Sequence, residues 1–176
     1  MDLYYLFFRL ITKTFDFYMG QSNVLVIIDI QKKYEYCWNQ DWNVNFMNDL
    51  KHLISYYMER DYYIFYVLLP EDDDNRRIND IQELLEDYNK KYEINATHED
   101  KSGDIIKKIT DLNINPIHIH ICGVDLEQCV YKTIIGLIAK KYREKLILHS
   151  KATSCSHSFS KDTKLKEIGS LGIKIE

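Results

Sequence analysis

The spacing of apolar residues changes repeatedly along this chain, and that alternation constrains the fold more than any other feature. The continuous run Val24–Ile28 is typical of a strand buried on both faces. Apolar residues then recur at helical spacing from 42 to 58, and a second apolar run at 62–69 stops before Pro70. Two parallel neighbouring strands need a crossover connection between them, usually a helix. Strands that alternate with helices are therefore expected to pair in parallel. We therefore predict a three-layer α/β/α sandwich, Rossmann-like, around a mostly parallel six-stranded sheet.

The rest of the chain continues the same pattern. Asp41 is predicted to cap the first helix, because a short acidic side chain can accept hydrogen bonds from the free N–H groups there. The later predicted strands lie at 92–97, 116–122, 145–149 and 173–175, and the later helices at 78–85, 105–113, 126–142 and 161–168.

Charge and cysteine content narrow the class of protein. The formal net charge of −4 does not favour binding to nucleic acid or to anionic membranes, which depends on basic clusters. The four cysteines contain no Cys-x-x-Cys pair, so we expect reduced thiols and a cytoplasmic protein. With 176 residues, we predict one domain at 23–176, preceded by an apolar N-terminal extension at 1–22. Charged residues interrupt the apolar run of that extension, so we predict neither a membrane span nor a secretory signal there.

The residues that could take part in a chemical reaction lie at the ends of two predicted strands. Asp29 closes the first strand, where it is either an exposed acid, a helix cap or a functional group. At the end of the strand at 116–122, Gly123 is followed by a turn and by Cys129 near the start of a helix. A thiol in a first helical turn is expected to have a lowered pKa, and the free N–H groups there can hold an oxyanion. The alternative is a buried cysteine that only packs, as we expect for Cys37, Cys122 and Cys155.

Together these segments resemble the isochorismatase-like cysteine hydrolases, a family that includes nicotinamidases and related amidases. The segment 26–31 (VIIDIQ) is similar to the apolar strand and Asp-x-Gln of that family. The segment 123–130 (GVDLEQCV), with Thr133 one turn further, is similar to its Gly-Val…Cys-Val…Thr element. The resemblance runs in element order from about Asn23 to Ile175, and it indicates a divergent member of the family.

The resemblance implies a cysteine hydrolase that cleaves a small, non-peptide amide through a thioester. It implies a catalytic triad of Asp29, Lys101 and Cys129, with Cys129 as the nucleophile and Asp29 as the proton carrier. It implies an oxyanion hole formed by the backbone N–H groups of Asp125 and Cys129, beside a cis peptide bond between Val124 and Asp125. Substrate binding is expected at Gln31, Tyr34 and Val124. Such relatives commonly form homo-oligomers, so a homo-oligomer is expected here.

The lysine is the position where this chain departs from the family pattern. The family spacing points to Thr97 or His98, whereas the nearest lysine is Lys101. Our hypothesis is that Lys101 completes the triad, and His98 is the alternative. If neither reaches Asp29, the protein is a catalytically inactive relative that binds a small ligand or a partner.

Metal ligands are the second departure. Metal-binding relatives have histidines after the second strand, but the segment 69–75 has none, so we expect no catalytic metal and no cofactor. Its acidic run Asp72–Asp74 is predicted to be a solvated loop. His118 and His120 alternate along one strand and share a face, but a metal would need a third ligand. We predict that these two histidines pack in the strand.

Overall fold

The computed structural model describes residues 21–70 and 76–176. Most of the predicted N-terminal extension, residues 1–20, lies outside the described residues, as does the acidic run Asp72–Asp74. The first strand begins at Gln21, two residues before the predicted start of the domain. The division into an extension and a domain therefore stays a prediction.

The described residues form six strands and five α-helices in alternation. The strands are β1 (Gln21–Ile28), β2 (Tyr63–Leu68), β3 (Lys91–Asn95), β4 (Asn115–Gly123), β5 (Leu146–Thr153) and β6 (Lys174–Ile175). The helices are α1 (Phe46–Glu59), α2 (Asn79–Leu85), α3 (Ser102–Asp111), α4 (Tyr131–Ala139) and α5 (Ser158–Ser170). No helix in these two described ranges is long and apolar enough to cross a bilayer.

The strands form one sheet in the order β3-β2-β1-β4-β5-β6, and every pair is parallel. Val24, Val26 and Ile28 face α3, α4 and α5, whereas Leu25 and Ile27 face α1 and α2. All five side chains have no exposed surface, which explains why the β1 sequence is apolar throughout. The three-layer α/β prediction is confirmed.

Two local predictions need correction. Helix α1 begins at Phe46 and not at 42, and a short 3₁₀ turn at Asp41–Asn43 precedes it. Its N-cap residue is Asn45, whose side chain makes no capping hydrogen bond, so the prediction of Asp41 as the cap was wrong. The predicted helix 126–142 is a π-helical turn at Leu126–Val130 followed by α4. The turn is wide because the Asp125 carbonyl accepts hydrogen bonds from the N–H groups of both Gln128 and Val130.

Candidate active site

The carboxyl ends of β1 and β4 meet at a single close contact. Ile28 pairs with Gly123, which has a φ of 118°. A Cβ atom at position 123 would lie 2.1 Å from the Ile28 carbonyl oxygen, so only glycine fits there. Because the two strand ends approach this closely, the residues that follow them, Asp29 and Val124, lie side by side at the topological switch point of the sheet.

Asp29 is a fully buried carboxylic acid at this position. Its φ is 51°, in the left-handed region that aspartate tolerates better than most residues, and its N–H donates to the Val67 carbonyl at 2.9 Å. Burial raises its pKa above the ordinary value of 3.8, and the nearby Lys101 ammonium only partly opposes this. Asp29 therefore holds a proton more readily than an exposed aspartate.

Lys101 is the cation that reaches Asp29. Its Nζ lies 3.1 Å from Asp29 Oδ1, and both side chains have no exposed surface. The same ammonium donates to the His98 carbonyl at 3.1 Å, while the side chains of His98 and Thr97 are exposed. The geometry thus brings Lys101 to the acid and leaves the two alternative positions outside.

A glycine on α4 makes room for the segment that holds Lys101. A Cβ atom at Gly136 would lie 2.3 Å from Ser102 Oγ and 2.4 Å from the Asp100 carboxylate. The Lys101 N–H donates to Thr133 Oγ1 at 3.1 Å, one turn before Gly136 on the same helix. The start of α3 is therefore fixed against α4, and the lysine side chain is directed towards β1.

Cys129 lies in the π-helical turn with 3% of its surface exposed. Its thiol is close enough to the Asp29 carboxylate for each group to shift the pKa of the other. Burial, and then the negative charge of Asp29, raise its pKa to about 12, against a weaker opposing effect of Lys101. The lowered pKa expected from a helix start was wrong, because burial beside a carboxylate outweighs the free N–H groups of the turn. The resting thiol is therefore protonated and has a proton acceptor beside it.

The turn between β4 and Cys129 contains an unusual peptide bond and is stabilised by hydrogen bonds from the residues that follow β5. The peptide bond between Val124 and Asp125 is cis. The Asp125 carboxylate accepts hydrogen bonds from the Glu127 N–H at 3.1 Å and from Ser156 Oγ at 2.8 Å. Ser154 connects the turn to β5, because its N–H donates to the Gly123 carbonyl at 3.0 Å and its carbonyl accepts from the Leu126 N–H at 2.9 Å. Sequence reasoning missed both serines, which no motif marks.

The positions expected to bind substrate differ in their surroundings. Gln31 is fully buried, and its amide both donates to the Leu69 carbonyl at 3.0 Å and accepts from the Leu69 N–H at 2.9 Å. It therefore holds the end of β2 beside Asp29. Tyr34 is half-buried, and this burial, followed by the nearby charges of Asp29 and Cys129, raises its pKa. Val124 has no exposed surface. The contact of these residues with substrate stays a prediction.

The arrangement places a protonated thiol and an ammonium beside one buried carboxylate, at the carboxyl ends of the central strands of the sheet. All four cysteines are free and buried, but among the described acids with a shifted pKa only Asp29 is acted on by a cysteine. Burial raises the pKa of Asp29, and Lys101 and Cys129 oppose that rise. A thiol next to a base can act as a nucleophile once its proton is transferred. The chemistry that this geometry permits is nucleophilic attack on a carbonyl group.

Comparison with known proteins establishes the fold. No family model matches the sequence, and no curated protein matches it. Among solved structures, a nicotinamidase from Staphylococcus aureus is 16% identical, with a TM-score of 0.69 over 89% of this chain and 99% of its own. N-carbamoylsarcosine amidase from Thermoplasma acidophilum is 12% identical, with a TM-score of 0.70 over 88% of this chain and 95% of its own. An octameric hydrolase of unknown specificity from Escherichia coli is 12% identical, with a TM-score of 0.71 over 88% of this chain and 74% of its own.

The chain therefore has the α/β fold of the isochorismatase-like hydrolases that these amidases represent. At these identities the similarity defines the fold and leaves the activity to be argued from the site itself.

Proposed function

We propose that this protein is a cysteine hydrolase that cleaves the C–N bond of a small amide through a thioester intermediate. The observation that carries the proposal is the contact between Lys101 Nζ and Asp29 Oδ1 at 3.1 Å, with Cys129 beside the same carboxylate. An ammonium in this position favours the ionised form of the buried acid and partly offsets the effect of burial on its pKa. The ionised acid can accept the thiol proton.

The proposed reaction moves one proton through Asp29 in each half. The Cys129 proton passes to the Asp29 carboxylate while Sγ attacks the carbonyl carbon of the amide. The backbone N–H groups of Asp125 and Cys129 hold the oxyanion that forms. When the C–N bond breaks, Asp29 gives its proton to the leaving nitrogen, which departs as ammonia or an amine. Asp29 then takes a proton from water, whose oxygen attacks the thioester. Asp29 gives this proton to Cys129 Sγ as the C–S bond breaks and the carboxylic acid leaves.

The burial of the three groups limits the substrate. Asp29 and Lys101 have no exposed surface, and Cys129 exposes 3%. Tyr34 is half-buried, and the charges of Asp29 and Cys129 add to the effect of burial in raising its pKa, so it lies close to this group. We propose that its ring forms one wall of the substrate site, which favours a small planar amide over a peptide.

The test is ammonia release from a panel of small primary amides, with Cys129→Ala and Cys37→Ala as matched variants. Cys37 is a buried free cysteine outside the group, so its variant controls for loss of a thiol from the core. We expect turnover of at least one amide, retained in Cys37→Ala and reduced at least about a thousandfold in Cys129→Ala. Equal turnover in both variants would refute the proposal.

The second candidate function is that of an inactive relative that binds a small ligand or a partner. The specific observation in its favour is that same burial of the thiol, since a nucleophile must reach its substrate. Under this alternative the full amide panel gives no ammonia, while small-molecule binding still raises the melting temperature.

We also propose that the protein assembles as a homo-oligomer. The support is the octameric state of the similar Escherichia coli hydrolase. Sedimentation equilibrium of the full chain tests this proposal, and a monomer mass at all concentrations would contradict it.

A further inference from the structure

Three potential metal ligands meet on the α1 side of the sheet, apart from the Asp29 group. They are His120 on β4, His149 on β5, and Glu176 directly after β6, and one donor atom from each lies within 4.8 Å of the others. His120 Nδ1 is 2.8 Å from His149 Nε2, and His149 Nδ1 is 3.8 Å from a Glu176 carboxylate oxygen. The two rings are stacked, with centroids 5.1 Å apart. Two neighbouring strands and the residue after a third thus converge on one point.

The same place contains buried polar atoms without a partner. His120 is 8% exposed, and within the described part of the chain its Nε2 has no hydrogen-bond partner. Asn23 Oδ1, on β1, is also buried without one. Both residues line a groove of about 370 Å³ together with His118, His149 and Glu176. Buried polar atoms are nearly always paired, so two orphaned atoms in one groove mark a place where a polar ligand can bind.

Glu176 is held in position by its backbone. Its N–H donates to the Leu148 carbonyl at 2.9 Å, and its carbonyl accepts from the Ser150 N–H at 2.7 Å and from Ser150 Oγ at 2.8 Å. These bonds flank His149 on both sides in the sequence. Lys174 bonds one carboxylate oxygen of Glu176, Oε1, and the other oxygen, Oε2, faces His149. The carboxylate is therefore placed against the imidazole before any ion arrives.

We propose that His120, His149 and Glu176 form a binding site for a divalent first-row transition-metal ion such as Zn²⁺. Two imidazoles and one carboxylate are a donor set that these ions prefer. Ligand atoms at about 2.0–2.2 Å from zinc lie a little over 3 Å apart. The cluster reaches this spacing when the 2.8 Å imidazole contact widens and the Glu176 carboxylate moves closer to the rings. The donors are one ring nitrogen from each histidine and one carboxylate oxygen of Glu176, and the remaining coordination position opens to the groove.

The site has a structural consequence for the sheet edge. β6 has only two residues and is the last strand in the order. A metal ligated from β4, β5 and the residue after β6 would tie this edge strand to the body of the sheet. Because the ion binds only the folded arrangement, it would raise the melting temperature in a concentration-dependent way.

The test is titration of the chelator-treated full-length protein with ZnCl₂ near neutral pH, followed by calorimetry and by the melting temperature. We expect one strong site per chain and a rise in melting temperature. Glu176→Gln, at the exposed edge, is expected to fold and to bind at least about tenfold more weakly. His149→Ala is expected to abolish the strong site. His118→Ala is the matched control, because His118 lines the same groove outside the cluster, and it should bind as the wild type does.

A spectroscopic measurement keeps the proposal testable if a histidine variant fails to fold. With one equivalent of Cu²⁺, the electron paramagnetic resonance spectrum of the wild type should show coupling to two imidazole nitrogens. Absence of a strong site, unchanged affinity in Glu176→Gln, or loss of binding in His118→Ala equal to that in His149→Ala would each overturn the assignment.

Discussion

The ammonium of Lys101 lies 3.1 Å from the carboxylate of Asp29, and neither side chain has any exposed surface. Isolated, either charge would be strongly unfavourable in this interior, so each requires the other. The ammonium has a second partner in the His98 carbonyl at 3.1 Å. The pair is therefore a structural element of the domain as well as the proposed source of thiol activation, and the two roles can be separated.

The stability role predicts strong coupling between the two residues. Lys101→Met leaves Asp29 buried without its cation and should lower the free energy of unfolding by about 3–5 kcal/mol. Adding Asp29→Asn removes the orphaned charge, so the double variant should recover a large part of that loss. Urea denaturation of the two single variants and the double variant measures the coupling. Strictly additive losses would contradict a direct ion pair.

Gly123 predicts a steric effect on the site. Gly123→Ala places a Cβ atom 2.1 Å from the Ile28 carbonyl oxygen, where backbone must move, so we expect destabilisation of several kcal/mol and loss of turnover. Gly103→Ala is the matched control, because no atom lies within 4 Å of a Cβ there. On helix α3 it should be neutral or stabilising by up to about 1 kcal/mol. Thermal unfolding measures the stability of the two variants. An equal loss of stability in both would refute the close-contact argument.

The raised pKa of Asp29 predicts opposite pH trends for activity and stability. Since the folded pKa lies above the ordinary 3.8, the folded state binds this proton more tightly than the unfolded chain does. The stability contributed by Asp29 is therefore greatest below 3.8 and is lost as the pH rises through the folded pKa. Turnover should rise across the same window, because the carboxylate is the base. In this pH window the free energy of unfolding of the wild type, relative to that of Asp29→Asn, should fall as the pH rises. A rise would contradict the raised pKa of Asp29.

Tyr34 predicts a change in access to the thiol. If its ring forms a wall of the site, Tyr34→Ala should speed alkylation of Cys129 by iodoacetamide, measured by peptide mapping. Tyr36→Ala is the control, because Tyr36 is 52% exposed and its ring centroid lies 6.5 Å from that of Tyr34. Acceleration in both variants, or in neither, would remove Tyr34 from the proposed substrate site.

The sequence predicted the layers of the fold because burial on two faces leaves a direct signal. Every side chain of Val24–Ile28 is buried, so the strand is apolar without interruption. The sequence did not decide whether His98 or Lys101 reaches Asp29, because a loop has no periodicity from which the direction of a side chain follows. That direction follows from Thr133 and from the space at Gly136, both on another helix.

Other features depend on tertiary contacts that no local pattern contains. The position of Cys129 at a helix start predicted a lowered pKa, but burial beside Asp29 raises it. His120 lacked a third ligand in the sequence, because His149 and Glu176 become its neighbours only through the order of β4, β5 and β6. The strand order is a property of the whole chain.

The most direct test of the central claim compares wild type and Asp29→Asn on two properties of the same thiol. Burial, and then the negative charge of Asp29, raise the pKa of Cys129. Asp29→Asn should therefore lower that pKa, seen as thiolate absorbance at a lower pH than in the wild type, with Cys129→Ala as the blank. If Asp29 carries the proton, ammonia release must nevertheless fall at least about a hundredfold in Asp29→Asn. Undiminished release by a variant with a more readily formed thiolate would contradict the account.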